Sequence, residues 1–340
     1  MYRKASTLAA FLLLSACGGG DGQSNPPPTG GGGTPAPSPA PTPTPPAVTY
    51  SKFADLTGIQ TFRSTCAERE IRDTTEILET RLTSTGNGLS IVRDIEAATW
   101  RVTDASADLK SGIDETFAAS DLDEENASFG YESFRKPRGY DGISFGYGFN
   151  SDLDPDPQYA RTASVYDGTD ETIQYSLSCI FGVETKPEDQ FPVLVSPSSV
   201  MGYKSLVASG QATIGAGANY RELITGDGLQ SAYYYDLRAN KSTVQFDLST
   251  LDITNNTYQF VDTLRANIQI DPEKFTFQAD LTAEVSGSTV PAGSVVGVFY
   301  GPGGAEIGMV LTINYLDSAG RPIKGSFVII GTDQAEFVPT

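Results

Sequence analysis

Histidine is absent from the 340-residue sequence. Its imidazole is the usual general base in nucleophilic catalysis and a frequent ligand of zinc and haem iron. The absence therefore argues against most nucleophile–base enzymes and against most zinc and haem sites. We predict a protein that is not an enzyme and that holds no cofactor and no metal.

Basic residues are also few, with 23 Lys and Arg against 42 Asp and Glu, which gives a net charge of −19. Removal of Arg3 and Lys4 with an export signal would change this charge to −19 − 2 = −21. A surface of this sign repels the phosphates of nucleic acids and of anionic lipids. Nucleic acid is therefore excluded as a partner.

The apolar run near the N-terminus, Leu8–Leu14, is too short to cross a bilayer. It follows a basic pair and ends in Leu14-Ser15-Ala16-Cys17, which resembles the cleavage box of bacterial lipoproteins. The resemblance implies a signal peptide over 1–17, acylation of Cys17 and, because Gly18 is not aspartate, an anchor in the outer membrane. Which face of that membrane the chain occupies stays open. The alternative is an ordinary signal peptide.

Residues 18–49 lack the side chains that build a core. The segment Gly18–Val48 has no aromatic residue, no Ile and no Leu. Its four consecutive glycines are flexible, and the proline-rich part Thr34–Pro46 favours polyproline II, with a reach of about 40 Å. We predict a disordered stalk that holds the following residues away from the membrane.

Only three cysteines occur, and one of them is the predicted lipid site. Cys66 and Cys179 remain, and an even pair in an exported chain suggests a disulfide. Cys179 shares an apolar face with Tyr175, Leu177 and Phe181, which places it in a predicted core. The alternative is a pair of buried free thiols.

Residues 50–190 are predicted to form a β-rich, handle-like domain. Apolar and polar or small side chains alternate in Leu89–Ile95 and in Ile143–Phe149, the period of a pleated strand. The segment Ile71–Leu82 fits a helix or a strand, and its β-branched residues favour the strand. Three prolines between Val183 and Gly202 interrupt helices and strands alike, so the domain is predicted to end there.

Residues 200–340 alternate more regularly. Apolar side chains occupy every second position in Val244–Leu248, Leu264–Ile270 and Phe275–Val285. Strands with one apolar and one polar face, joined by short turns, are antiparallel, and several in succession close as a barrel around a filled interior. We predict an all-β fold in which a C-terminal antiparallel barrel follows the handle-like domain.

The clearest hairpin covers Val295–Tyr315 and turns at Gly301-Pro302-Gly303-Gly304. Its residues Gly297-Val298-Phe299-Tyr300-Gly301-Pro302, followed by Ala305-Glu306-Ile307-Gly308, resemble the closing barrel motif of bacterial transferrin-binding-type surface lipoproteins. Met309 stands where that family usually has a second glycine. The resemblance implies a β-rich handle beside a barrel of about eight strands. It also implies capture of a protein or small nutrient ligand for a membrane receptor.

A basic and aromatic segment, Tyr131–Tyr140, stands out from this acidic chain. Phe134 and Tyr140 flank its cations, and Arg with aromatic side chains is typical of protein interfaces. We call its three basic residues the tip cations: Arg135, Lys136 and Arg138. We predict that this segment contacts a partner. The alternative is a hairpin tip that neutralises nearby carboxylates.

The function predicted from these features is a lipid-anchored outer-membrane binding protein that captures a protein or a small nutrient ligand. The rival is a structural or accessory envelope lipoprotein with no small-molecule ligand. Transferrin itself is not predicted as the ligand, because the resemblance concerns the fold and covers a single lobe.

Overall fold

The computed structural model describes residues 48–73, 76–125, 131–148, 156–189, 200–215, 222–224, 234–236, 241–252, 257–271 and 273–337. From Ala47 to Thr340 the chain forms one compact unit. Its regular structure is antiparallel β-sheet, so the predicted all-β class is confirmed. Single 3-10 turns occur at Phe53–Asp55, Ala119–Asp121 and Pro302–Gly304. Within these ranges, no helix has the length and apolar character needed to cross a membrane.

The first half of this unit is a sandwich of two sheets. The four-stranded sheet has the order β1-β4-β5-β6, with β1 Ile59–Arg63, β4 Leu89–Asp94, β5 Thr99–Asp104 and β6 Asp114–Ala118. The six-stranded sheet has the order β3-β2-β10-β9-β8-β7, with β2 Thr65–Arg72, β3 Glu76–Leu82, β7 Tyr131–Lys136, β8 Gly142–Gly148, β9 Ala160–Gly168 and β10 Ile173–Gly182. The parts Ile71–Arg72 and Glu76–Leu82 of the ambiguous segment belong to β2 and β3, which confirms the preference for strand.

Alternation along each strand points one set of side chains into the space between the two sheets. Phe117 from β6, Phe145 from β8 and Leu177 from β10 meet there and are fully buried. Cys66 and Cys179 lie opposite each other on β2 and β10, with their Cα atoms 4.1 Å apart, and form the predicted disulfide inside this core. Because the bond closes a loop with a sequence separation of 113, the chain-entropy model assigns it about 4–5 kcal/mol of stabilisation.

The second half is a ring of antiparallel strands. Its members are β11 Val200–Ile214, β12 Glu222–Ile224, β13 Tyr234–Asp236, β14 Lys241–Asp252, β15 Thr257–Ile268, β16 Thr276–Val285, β17 Ser288–Tyr300, β18 Glu306–Leu316 and β19 Pro322–Phe337. The short strands β12 and β13 both lie between β11 and β14, and β11 also pairs with β19, which closes the ring. These pairings give eight positions around the ring, in agreement with the predicted barrel of about eight strands.

The strands β17–β19 are buried on both faces. Phe299, Met309 and Leu311 point into the barrel core, as the alternation predicts. Val310 and Val328 point outwards and pack with Ile180, Ala67 and Ala160 of the six-stranded sheet. The expectation of one apolar and one polar face is therefore wrong for this side of the barrel, because the six-stranded sheet covers it.

The hairpin motif supplies the contacts of this junction. The carboxylate of Glu306 is buried and accepts the backbone N–H groups of Gln158, Tyr159 and Ala160, where β9 begins. Gly301 has φ +72° and lies against the ring of Tyr159, so a side chain there would be strained and would overlap that ring. The motif that carries the family resemblance therefore joins the barrel to the sandwich.

The segment between the two halves also pairs with β17. The N–H of Thr185 donates to the carbonyl of Phe299, and the Thr185 hydroxyl donates to the carbonyl of Gly301. The predicted domain boundary between 190 and 200 falls on residues 190–199, which lie outside the described residues. The division into a handle-like domain and a barrel domain stays a prediction.

Candidate partner-binding surface

The predicted contact segment forms the hairpin of β7 and β8. The two strands pair from Tyr131 with Gly148 to Lys136 with Ile143. The chain turns through Pro137–Asp141, where Gly139 has φ +61° and lies against the backbone of Thr169. The N–H of Tyr140 donates to the carbonyl of Thr169 at 3.2 Å, which fixes the turn against the β9–β10 connection. The turn therefore contacts the β9–β10 connection through Gly139 and Tyr140.

Each tip cation is paired with a carboxylate of the chain itself. Arg135 donates to the Asp141 carboxylate at 2.8 Å, and Arg138 forms an ion pair with Glu115. The Lys136 ammonium donates to the carbonyl of Thr116 and lies 3.8 Å from the carboxylates of Glu115 and Asp121. Such balance is what the charge-neutralising alternative predicts, and it reduces the attraction that the tip exerts on an acidic partner.

The two predicted aromatic anchors point in different directions. Phe134 is only 4% exposed and stacks with Phe145 in the sandwich core, whereas Tyr140 is 61% exposed. Phe134 is therefore not an exposed side chain of the tip, because β7 turns this ring inwards, and its contact with a partner stays a prediction. Tyr140 remains accessible, and its role in partner contact stays a prediction.

A cleft that sequence reasoning missed opens beside the same hairpin. It has a volume of about 170 Å³ and lies between the β4–β5 connection and strands β7 and β8. Its floor is aromatic, because the rings of Trp100 and Tyr147 lie 4.2 Å apart and that of Phe134 stacks with Tyr147. Leu122, which is 41% exposed, forms part of the rim. We call this site the aromatic cleft.

Polar groups in the aromatic cleft carry both charges. The guanidinium of Arg93 lies 4.9 Å from the centre of the Trp100 ring and, within the described part of the chain, forms no ion pair. Burial raises the pKa of Tyr147, and its hydrogen bond to the Glu132 carboxylate raises it further, so this hydroxyl stays protonated. The described lining of the cleft therefore offers an aromatic floor, the guanidinium of Arg93, and the carboxylates of Asp94 and Glu132.

One signal for the cleft is present in the sequence. Trp100 is the only tryptophan of the chain, and it sits in the alternating segment after Ile95. The positions that surround it come from strands β4, β7 and β8, from the β4–β5 turn and from the turn around Ala119, so no local pattern brings them together. Groups of three or more side chains able to hold a metal ion are absent from the described ranges, and Cys17 lies outside those ranges.

Comparisons with known proteins concern the fold of the whole chain. No family model and no curated protein matches the sequence. The chain is similar to the structure of a transferrin binding protein B variant from Haemophilus parasuis, with 14% identity, a TM-score of 0.42 and coverage of 80% of this chain and 45% of that one. It is also similar to intact Ap-TbpB, with 13% identity, a TM-score of 0.42 and coverage of 80% and 46%.

A third similar structure is HpuA from Kingella denitrificans, solved in complex with human haemoglobin. The identity is 11%, the TM-score is 0.37, and the match covers 82% of this chain and 88% of that one. The chain spans about half the length of the transferrin binding structures. Because identities and scores are low, the likeness transfers no residue role, ligand or partner to this chain.

Proposed function

We propose that this chain is a lipid-anchored protein of the bacterial outer membrane that binds a protein partner or a small nutrient ligand and delivers it to a membrane receptor. The lipoprotein-type box at Leu14–Cys17 supports the anchor. The proline-rich stalk supports a position away from the membrane surface. The all-β unit from Ala47 onward would then be the binding part.

The observation that carries the binding role is the aromatic cleft. Buried tryptophan and tyrosine side chains form the floor of an open depression, and the guanidinium of Arg93, which forms no ion pair with the described residues, lies 4.9 Å from the centre of the Trp100 ring. Trp, Tyr and Arg are the residues that contribute most to protein interfaces. Interfaces concentrate their binding energy where an apolar side chain enters such a depression. The cleft and the exposed Tyr140 belong to one hairpin, so a partner that covers the hairpin would contact both.

A structural or accessory role is the second candidate, and one observation favours it. The tip cations are all neutralised by carboxylates of the chain, so the tip shows no excess charge that awaits a partner. In this case the chain would hold an envelope assembly together, and the aromatic cleft would stay empty.

A pull-down with matched variants separates the two roles. Leu122→Asp places a charge on the rim of the cleft without touching its buried floor, and Leu316→Asp makes the same change at a 59% exposed position of the barrel. We expect the wild type and Leu316→Asp to retain the same component of envelope or growth-medium fractions, and Leu122→Asp to lose it. Equal retention by all three proteins, or no retention by any, would contradict binding through the cleft.

Fluorescence adds a readout specific to the cleft, because its floor holds the only tryptophan. A partner that enters the cleft should shift the emission of Trp100 in the wild type and in Leu316→Asp. An unchanged emission spectrum on saturation with the retained component would place the contact elsewhere on the surface.

A further inference from the structure

A second cavity, separate from the aromatic cleft, lies in the barrel. It is at the end where β16 connects to β17 and β18 connects to β19. Its volume is about 280 Å³, and its lining includes Ile214, Phe260 and Val285. Ile214 belongs to the barrel core, and Val285 packs against that core, so the cavity reaches the interior of the barrel. Phe260 is 65% exposed, which is unusual for a large aromatic side chain that borders a core. Barrel mouths are frequent sites for small ligands.

Carboxylates supply most of the charge in this cavity. Asp317 is neutralised by Arg321, whose guanidinium lies 2.7 Å from it. Asp262 and Glu284 remain, and among the described residues neither of them forms an ion pair. Among the described residues, the lining therefore has three carboxylates and one guanidinium, a formal charge of 1 − 3 = −2.

Asp262 is held in place at the inner side of the cavity. It lies on β15 two residues before Leu264, so by strand alternation it shares the inward face. The Tyr315 hydroxyl, from a side chain buried in the barrel, donates to its carboxylate at 3.1 Å. Burial raises the pKa of Tyr315, and the nearby Asp262 charge raises it further, so the tyrosine stays a donor. A fixed carboxylate that forms no ion pair among the described residues thus faces a mostly polar cavity, in which Ile214, Phe260 and Val285 supply apolar surface.

We propose that the barrel mouth binds a small organic amine. The ammonium group would lie against Asp262, with Glu284 nearby, and its apolar body would pack on Phe260 and Val285. This site is separate from the aromatic cleft, which belongs to the sandwich, so it does not depend on the function proposed above. A cation would restore the charge balance of the lining, and a carboxylate or a neutral body would not.

Phenethylamine tests this assignment, with 2-phenylethanol as a neutral probe of similar shape. Isothermal titration calorimetry on the full-length chain should show phenethylamine binding about tenfold more tightly than 2-phenylethanol, a difference of about 1.4 kcal/mol. Asp262→Asn keeps the side-chain shape and an acceptor for Tyr315, and it should reduce the advantage of the amine about tenfold. Asp280→Asn removes one charge from an exposed position of β16 outside the cavity and should leave the binding unchanged.

Two outcomes would overturn the proposal. The first is equal binding of the amine and the alcohol, or no binding of either. The second is an equal loss with Asp262→Asn and Asp280→Asn, which would show a response to net charge alone. If Asp262→Asn fails to fold, Glu284→Gln replaces it, and its expected effect is a weaker loss of amine binding. An unchanged affinity in that variant would count against the site.

Discussion

Replacing Glu306 with alanine removes the carboxylate that joins the barrel hairpin to the start of β9. One of its oxygens accepts the N–H of Ala160 at 2.7 Å and that of Tyr159 at 3.1 Å, and the other accepts the N–H of Gln158. An unpaired buried donor costs about 1–3 kcal/mol. Ala160 is fully buried, whereas Gln158 and Tyr159 are half-buried and can bond to water. We therefore expect the free energy of unfolding to fall by about 3 kcal/mol.

The variant Glu306→Gln removes the charge of this side chain and keeps its shape, so it tests the effect of the charge alone. Both carboxylate oxygens accept hydrogen bonds, so an amide would present an NH2 group to one set of donors. Burial raises the pKa of Glu306, and the N–H groups of residues 158–160 together with Arg161 partly oppose this shift. A raised pKa of a carboxyl group stabilises the folded state below the unfolded pKa, and this contribution is lost as the pH rises through the folded pKa. The wild type should therefore lose more stability than Glu306→Gln as the pH rises above the ordinary pKa of a glutamate.

Urea unfolding can follow the two halves of the unit separately. Fluorescence of Trp100 reports on the sandwich alone, and far-ultraviolet circular dichroism reports on all strands. In the wild type we expect the two transitions to coincide, because the sandwich and the barrel share the buried layer around Tyr300 and Val310. In Glu306→Ala the two midpoints should separate, because the junction is weakened while each core is intact.

Glu171→Gln is the matched control, since Glu171 is exposed in the turn before β10. Its free energy of unfolding should stay within about 0.5 kcal/mol of the wild type. If Glu306→Ala costs no more than this control, the buried carboxylate does not stabilise the junction. The titration of Glu306 would be refuted as a cause if the stability of the wild type relative to Glu306→Gln does not fall as the pH rises.

Three further expectations can be measured. Replacing Cys66 and Cys179 with alanine should lower the free energy of unfolding by up to about 4–5 kcal/mol, and thiol labelling of the unreduced, denatured wild type should find no free thiol at these positions. Cys17→Ser should leave an uncleaved or mislocalised precursor, and radiolabelled palmitate that fails to enter the wild type would contradict acylation at this residue. Replacing all three tip cations with serine should preserve the fold, because exposed ion pairs contribute about 0–1 kcal/mol each. The same change should weaken partner binding at low salt. An unchanged affinity would mean that the tip cations only balance the charge of nearby carboxylates.

Local patterns in the sequence were sufficient to predict much of this fold. Alternation and the Gly-Pro-Gly-Gly turn predicted the hairpin that becomes β17 and β18, because period and turn chemistry depend on neighbours in the chain. Alternation also predicted the inward faces of β14–β16. The cysteine count and the export signal predicted the disulfide, since the compartment and the pairing options follow from composition.

The candidate sites were less predictable, because each depends on contacts between distant parts of the chain. Lys136 and Arg138 are neutralised by Glu115 of β6, which belongs to the other sheet, so the basic residues of the segment alone overstated its attraction for a partner. Asp121 of the 3-10 turn after β6 also lies near Lys136, and Arg135 pairs with Asp141 of its own hairpin. Phe134 was predicted to contact a partner because it flanks the tip cations in the sequence. Successive residues of a strand face opposite sides, and β7 turns this ring into the core.

The sequence by itself determined the strand periodicity, the hairpin turn and the acidic charge of this protein, and it predicted an export signal, because these features depend on residue type and short spacing. Only the tertiary structure decided that strands β17–β19 are buried on both faces, that Glu306 binds backbone groups of residues 158–160, and that separate strands enclose the aromatic cleft and the barrel mouth. The physical reason is that burial and hydrogen bonding depend on which surfaces meet in space. Residues far apart in the chain supply those surfaces, and no local pattern in the sequence indicates that they are in contact.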